Sequence, residues 1–132
     1  MTRSTRPSLT HPSSIRLGAF ALGLLLASTG PAFAHAMLQT ATPSAGSTVA
    51  SPGEIRLAFS EALEPAFSTI KLTGPDGQPV AAPKAAPDPA DGKVLVLQPA
   101  APLAPGHYHV AWIAISVDTH RTQGGFDFTV QP

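Results

Sequence analysis

The spacing of turn residues is what most limits the fold open to residues 35–132. Pro43-Ser44-Ala45-Gly46, Pro52-Gly53, Glu61 to Pro65, Gly74-Pro75-Asp76-Gly77, Ala81 to Gly92, Pro102 to Gly106 and Asp118 to Arg121 break the chain, most of them about eight to twelve residues after the last. The segments between them show no convincing helical periodicity, but they suit strands. Glu54-Ile55-Arg56-Leu57-Ala58-Phe59-Ser60 alternates polar and apolar residues, which directs Ile55, Leu57 and Phe59 to one buried face. Strands are likewise expected over His35 to Thr42, Phe67 to Thr73, Val94 to Gln98, His107 to Val117 and Gly124 to Val130, with a short one at Gln78 to Val80. The Ala-, Pro- and Asp-rich stretch from Ala81 to Gly92 reads as a loop. On the longest strand Tyr108, Val110 and Trp112 share the core side with Ala114 and Ser116, while His107, His109, Ala111, Ile113 and Ile115 take the other. Six or seven such strands, with no helical periodicity after residue 34 and no internal repeat, imply an all-β antiparallel sandwich or Greek-key barrel.

Residues 1–34 have a different character. Arg3, Arg6 and Arg16 precede an apolar run from Leu17 to Ala27, Thr29-Gly30-Pro31 breaks it, and Ala32-Phe33-Ala34 has the small-x-small form of a cleavage site. The run is shorter than the ~20 residues of a membrane span. Residues 1–34 are therefore expected to be a cleavable secretory signal peptide, and residues 35–132 a soluble exported domain with no stable membrane insertion. The absence of cysteine means that no disulfide supports this domain. Once the leader is gone, five basic side chains face eight acidic ones. That balance argues against nucleic acid or an anionic membrane as partner and is compatible with cations.

A cut after Ala34 leaves His35 as the first residue. Its α-amine and Nδ1 can then close a six-membered chelate ring on one metal ion. The amine gives up its proton readily, since its unperturbed pKa is ~7.7–8.0. Further along, Asp118-Thr119-His120 offers a carboxylate and a second imidazole. On its own this triplet also reads as an ordinary polar turn. Combined with His35, it completes a nitrogen–oxygen set of the tetragonal kind that favours Cu(II).

Several stretches together resemble the CopC family of small periplasmic copper-binding proteins. They are His35 at the new N-terminus, Thr42-Pro43-Ser44-Ala45-Gly46-Ser47, and Ile55-Arg56-Leu57-Ala58-Phe59-Ser60-Glu61. Leu103 to Trp112, Ser116-Val117-Asp118-Thr119-His120 and Gly125-Phe126-Asp127-Phe128-Thr129-Val130 continue the match through the mature segment. The resemblance implies a seven-strand Greek-key β-barrel, also described as an immunoglobulin-like β-sandwich. It implies one Cu(II) per chain, held by His35 (amine and imidazole), Asp118 and His120, with Glu61 close by and able to tune the ion. It further implies a periplasmic monomer acting in copper resistance or homeostasis, with an inner-membrane transporter of the CopD type as partner. Some family members add a methionine-rich loop that binds Cu(I). Here Gly74 to Gly92 contains no methionine and only Met37 remains after the cut, so the chain resembles the members with a Cu(II) site alone.

Two rival readings of the same residues are a copper-brace oxidative enzyme and a metal-free β-sandwich interaction module. The small domain, its single Trp and single Tyr, and the carboxylate in the ligand set speak against the enzyme. His107 and His109, two apart on one strand face, are expected to be solvent-facing side chains rather than a second metal grip.

Overall fold

The structure, a computed structural model, describes residues 35–132; the leader and its cut lie outside the described residues. Eight strands follow one another: β1 (Leu38–Thr42), β2 (Thr48–Val49), β3 (Ile55–Phe59), β4 (Thr69–Thr73), β5 (Ala86–Asp88), β6 (Asp91–Leu97), β7 (Gly106–Ile115) and β8 (Arg121–Val130). They form two four-stranded sheets, in the orders β1-β3-β6-β5 and β2-β8-β7-β4. Every pairing is antiparallel except β2 with β8. The chain changes sheet at every connection except β5 to β6 and β7 to β8, and these two are the only pairs of strands that are neighbours both in sequence and in a sheet among the described residues. The fold is all-β and a sandwich; the two sheets do not close into a barrel.

The period-two pattern determines which side chains fill the space between the sheets. From β3, Ile55, Leu57 and Phe59 are buried, and from β7 Tyr108, Val110, Trp112 and Ala114 are buried. Leu95 and Leu97 of β6, Ile70 and Leu72 of β4, and Phe128 and Val130 of β8 complete the core. Full burial of each Leu, Ile or Phe contributes about 1.5–3 kcal/mol. Phe59 of one sheet and Trp112 of the other pack T-shaped across the core at 5.1 Å, and Tyr108 stacks on Phe128, its cross-strand neighbour in the same sheet, at 5.4 Å. The Tyr108 hydroxyl donates to the carbonyl of Ala104 at 2.6 Å, so its polar atom is satisfied at the core's edge. Burial, reinforced by the charge of Asp76, raises the Tyr108 phenol above its ordinary pKa.

Three expectations change. Ala81 to Gly92 is not all loop, because it contains β5 and the start of β6. Pro87 is tolerated in β5 because that strand lies at a sheet edge. Gln78 to Val80 forms only a single bridge, Thr73 with Pro79, and Val80 N–H donates to Leu72 O at 2.8 Å. The last strand begins at Arg121 rather than Gly124, carried across two bare glycines by its pairing with β7. Among the described residues, no helix is long and apolar enough to cross a membrane.

Candidate metal centre

Three segments meet where β7 turns into β8. Leu38 pairs with Phe59, which sets the residues before β1 beside those after β3. Ser60 joins the two: its N–H donates to Met37 O at 2.9 Å, its Oγ accepts from Met37 N–H at 2.9 Å, and the same hydroxyl donates to His35 O at 3.0 Å. From the other sheet, Thr122 Oγ1 donates to Ala36 O at 2.7 Å. Ala36 itself is 0% exposed, with His35 and Met37 outward on either side of it. Met37 is 60% exposed. The third segment is tied in by Val117 N–H, which donates to Ala62 O at 3.1 Å.

The β7–β8 connection is a tight hairpin. Thr119 N–H donates to Ser116 O at 2.8 Å, and Ser116 N–H to His120 O at 3.0 Å. Thr119 adopts φ 74°, a left-handed conformation that glycine usually fills in three-residue hairpin loops and that a β-branched residue seldom takes. The reversal brings Asp118 and His120 side by side. The buried Ser116 hydroxyl donates to Asp118 Oδ1, and Asp118 Oδ2 lies 3.2 Å from His120 Nδ1. The Ser116 hydroxyl and, secondarily, His120 hold the Asp118 carboxyl below the usual carboxylate range against the opposing effect of burial. With side chains 40% and 42% exposed, His120 and Asp118 are open to an ion from solution.

His35 completes the group. Its ring centroid is 5.0 Å from that of His120, the two planes inclined at 63°. Two imidazoles and a carboxylate therefore share one patch, and their donor chemistry fits a Cu(II) ion. Among the described residues, no three His, Cys, Asp or Glu side chains form a ready-made metal cage. In the full chain the His35 nitrogen belongs to a peptide bond and is not an amine donor, and the Asp118 carboxylate is turned toward Ser116 and His120. Glu61 sits in the backbone between Ser60, which holds His35, and Ala62, which receives Val117.

His107 and His109 do not join this group. His107 Nδ1 lies 2.9 Å from Thr129 Oγ1, and His109 Nδ1 donates to Asp127 Oδ1 at 2.6 Å. The His109 ring lies over Gly125, where an added Cβ would come within 2.9 Å of its Nε2. Both are at the end of β7 away from the His120 loop, and eight residues of strand separate His107 from Ile115 by roughly 26 Å.

Sequence reasoning missed Ser60, Ser116 and Thr122, the hydroxyls that hold the ends of this group. Ser60 and Ser116 fall inside stretches that carry the family resemblance, and Thr122 is two residues beyond. A single hydroxyl has no periodicity to mark it.

Comparison with known proteins bears on the family and the fold. Residues 38–131 match the family model described as the CopC domain. Copper resistance protein C of Escherichia coli is 44% identical over 117 residues, covering 83% of this chain and 91% of its own. The structure of PcoC, described as a methionine-rich copper resistance protein from Escherichia coli, superposes with a TM-score of 0.68 at 46% identity, covering 74% of this chain and 100% of that one. CopC from Methylosinus trichosporium OB3b superposes with a TM-score of 0.69 at 35% identity, over 74% and 95% of the two chains.

Proposed function

Because the chain belongs to the CopC family, a family of copper-resistance proteins and not of enzymes, we propose that it acts as an exported monomeric domain that binds one Cu(II). The ligands are the His35 amine and Nδ1, a ring nitrogen of His120 and an oxygen of Asp118, with Glu61 near enough to tune the ion. The observation that carries this reading is the 5.0 Å approach of the His35 and His120 rings, which come from remote parts of the sequence. Cleavage after Ala34 supplies the missing donor, so the metal-competent form arises from processing.

The chemistry is ligand exchange. Copper replaces a proton on the amine and on the imidazoles, and acid reverses the exchange by protonating the same nitrogens. The domain holds the ion in the periplasm or passes it to a membrane importer of the CopD type. Unlike the methionine-rich relative, this chain keeps one methionine after the cut, which favours a Cu(II) site alone.

The test combines an intact mass with a titration. The exported protein should start at His35 and bind one equivalent of Cu(II), with an EPR spectrum of tetragonal nitrogen–oxygen coordination and a change in the fluorescence of Trp112. A protein starting at His35 that binds no copper more tightly than a surface histidine does would overturn the reading.

A further inference from the structure

We infer that Ser60 and Thr122 are positioning residues that set the register of the mature amino terminus, so that a chain beginning at His35 presents its amine and imidazole toward His120. The inference rests on the Cu(II) reading above and adds to it how the terminal residue is aimed. A first residue is ordinarily the most mobile part of a chain. Here three consecutive residues are held from both sheets before β1 begins.

Each hold has its own geometry. Thr122 Oγ1 reaches Ala36 O at 2.7 Å from a position two residues beyond His120, so one short stretch of β8 both supplies a ligand and anchors the opposite terminus. Ser60 Oγ reaches His35 O at 3.0 Å and accepts from Met37 N–H at 2.9 Å. The side chain of Ala36, enclosed in the core cluster, prevents the segment from sliding, because a shift of one residue would bring His35 or Met37 into a space that holds a methyl group. With the His35 carbonyl held, the terminal amine is confined to the circle described by rotation about the Cα–C bond. A chelate through amine and Nδ1 needs that confinement if it is also to share an ion with His120.

The test uses the processed protein, beginning at His35, with Cu(II) alone as the probe. Thr122→Val keeps the shape and removes the donor, Thr122→Ser keeps the donor, and Ser60→Ala is an independent removal. Supporting residues of this kind typically alter metal affinity about 10–100-fold. Thr122→Val and Ser60→Ala should weaken Cu(II) binding by that range and change the EPR parameters, while Thr122→Ser restores both. His120→Ala, run in parallel, separates the two levels. If His120→Ala abolishes tight binding but Thr122→Val and Ser60→Ala bind as wild type, the positioning inference is wrong and the site stands. If His120→Ala has no effect, the site itself is wrong. Should one removal variant fail to fold, the other decides; failure of both would make the hydroxyls purely structural and overturn the inference.

Discussion

The imidazoles of His35 and His120 lie 5.0 Å apart, centroid to centroid, although one precedes the first strand and the other immediately precedes the last. Neither residue is buried, so apolar packing of the rings does not hold them together. Their proximity follows from the strand pairing beneath them: β1 on β3 in one sheet, β7 on β8 in the other, and the Thr122–Ala36 hydrogen bond between the two.

Ligand removal should separate this group from the other histidines. Asp118→Ala and His120→Ala should each weaken Cu(II) by more than the 10–100-fold typical of supporting residues, and one extra residue ahead of His35 should do at least as much. His107→Ala should leave affinity within about twofold of wild type, because its Nδ1 is 2.9 Å from Thr129 Oγ1 and roughly 26 Å of strand lies between it and the His120 loop. Chelator competition with each purified variant is the measurement. An extension that binds as tightly as wild type would dismiss the amine as a ligand.

Thr119→Gly should stabilise the apo domain. Thr119 has φ 74°, where an L-residue pays about 1–2 kcal/mol that glycine does not. Part of that gain is offset by the greater backbone freedom of glycine in the unfolded chain. A net gain of about 1 kcal/mol raises the melting midpoint by roughly 4–8 °C in a domain of this size. Calorimetry of the two proteins compares them directly, and a lower midpoint for the glycine variant would mean that the threonine side chain contributes more than its backbone costs.

Acid should weaken the β3–β5 side of the sandwich through Asp88. Arg56 donates from Nη2 to the Asp88 carboxylate and from Nη1 to Glu54 at 3.2 Å. The Arg56 hydrogen bond, aided by the N–H of Ala90, holds the Asp88 carboxyl below its ordinary pKa. A depressed folded-state pKa gives stability that is fully present above the unfolded value, about 3.9, and is lost as pH falls through the folded one. Wild type should therefore exceed Asp88→Asn in urea midpoint near pH 6, and the gap should narrow below about pH 4. A gap of constant size down to about pH 2 would contradict this origin.

Gly124→Ala should disturb the tryptophan. A Cβ at Gly124 would lie 2.7 Å from Trp112 Cζ2, closer than real Cβ contacts stand, and a tight 3.0 Å from Cε2. The indole cannot retreat freely because the Phe59 ring packs against it at 5.1 Å. Overpacking of this kind costs about 1–3 kcal/mol, and the emission maximum of the lone Trp should move with it. An unchanged spectrum and midpoint would show that β8 yields instead of the ring.

Where side chains alternate, the sequence foretold the structure closely. The buried faces Ile55-Leu57-Phe59 and Tyr108-Val110-Trp112 are those that period two requires. Elements whose order comes from neighbours were not legible. β5 contains Pro87 and too few apolar residues to show a period, β2 is two residues long, and the start of β8 passes through Gly124-Gly125, which carry no pattern at all. At the site, residue types singled out His35, Asp118 and His120. The hydroxyls that hold the group together act through single long-range bonds, which leave no trace in local sequence.

The enclosure of Ala36 has a consequence for timing. A peptidase that cuts after Ala34 must take His35, Ala36 and Met37 into its own cleft as an exposed, extended strand. The folded domain needs those three residues for itself, with Ala36 inside the core and the backbone held by Ser60 and Thr122. If the chain is processed after Ala34, the two demands compete, and cleavage and folding would form an ordered pair in which the enzyme arrives first. A precursor allowed to fold before it meets the peptidase should be cut far more slowly than one presented unfolded, and its first strand would act as a lock on its own leader.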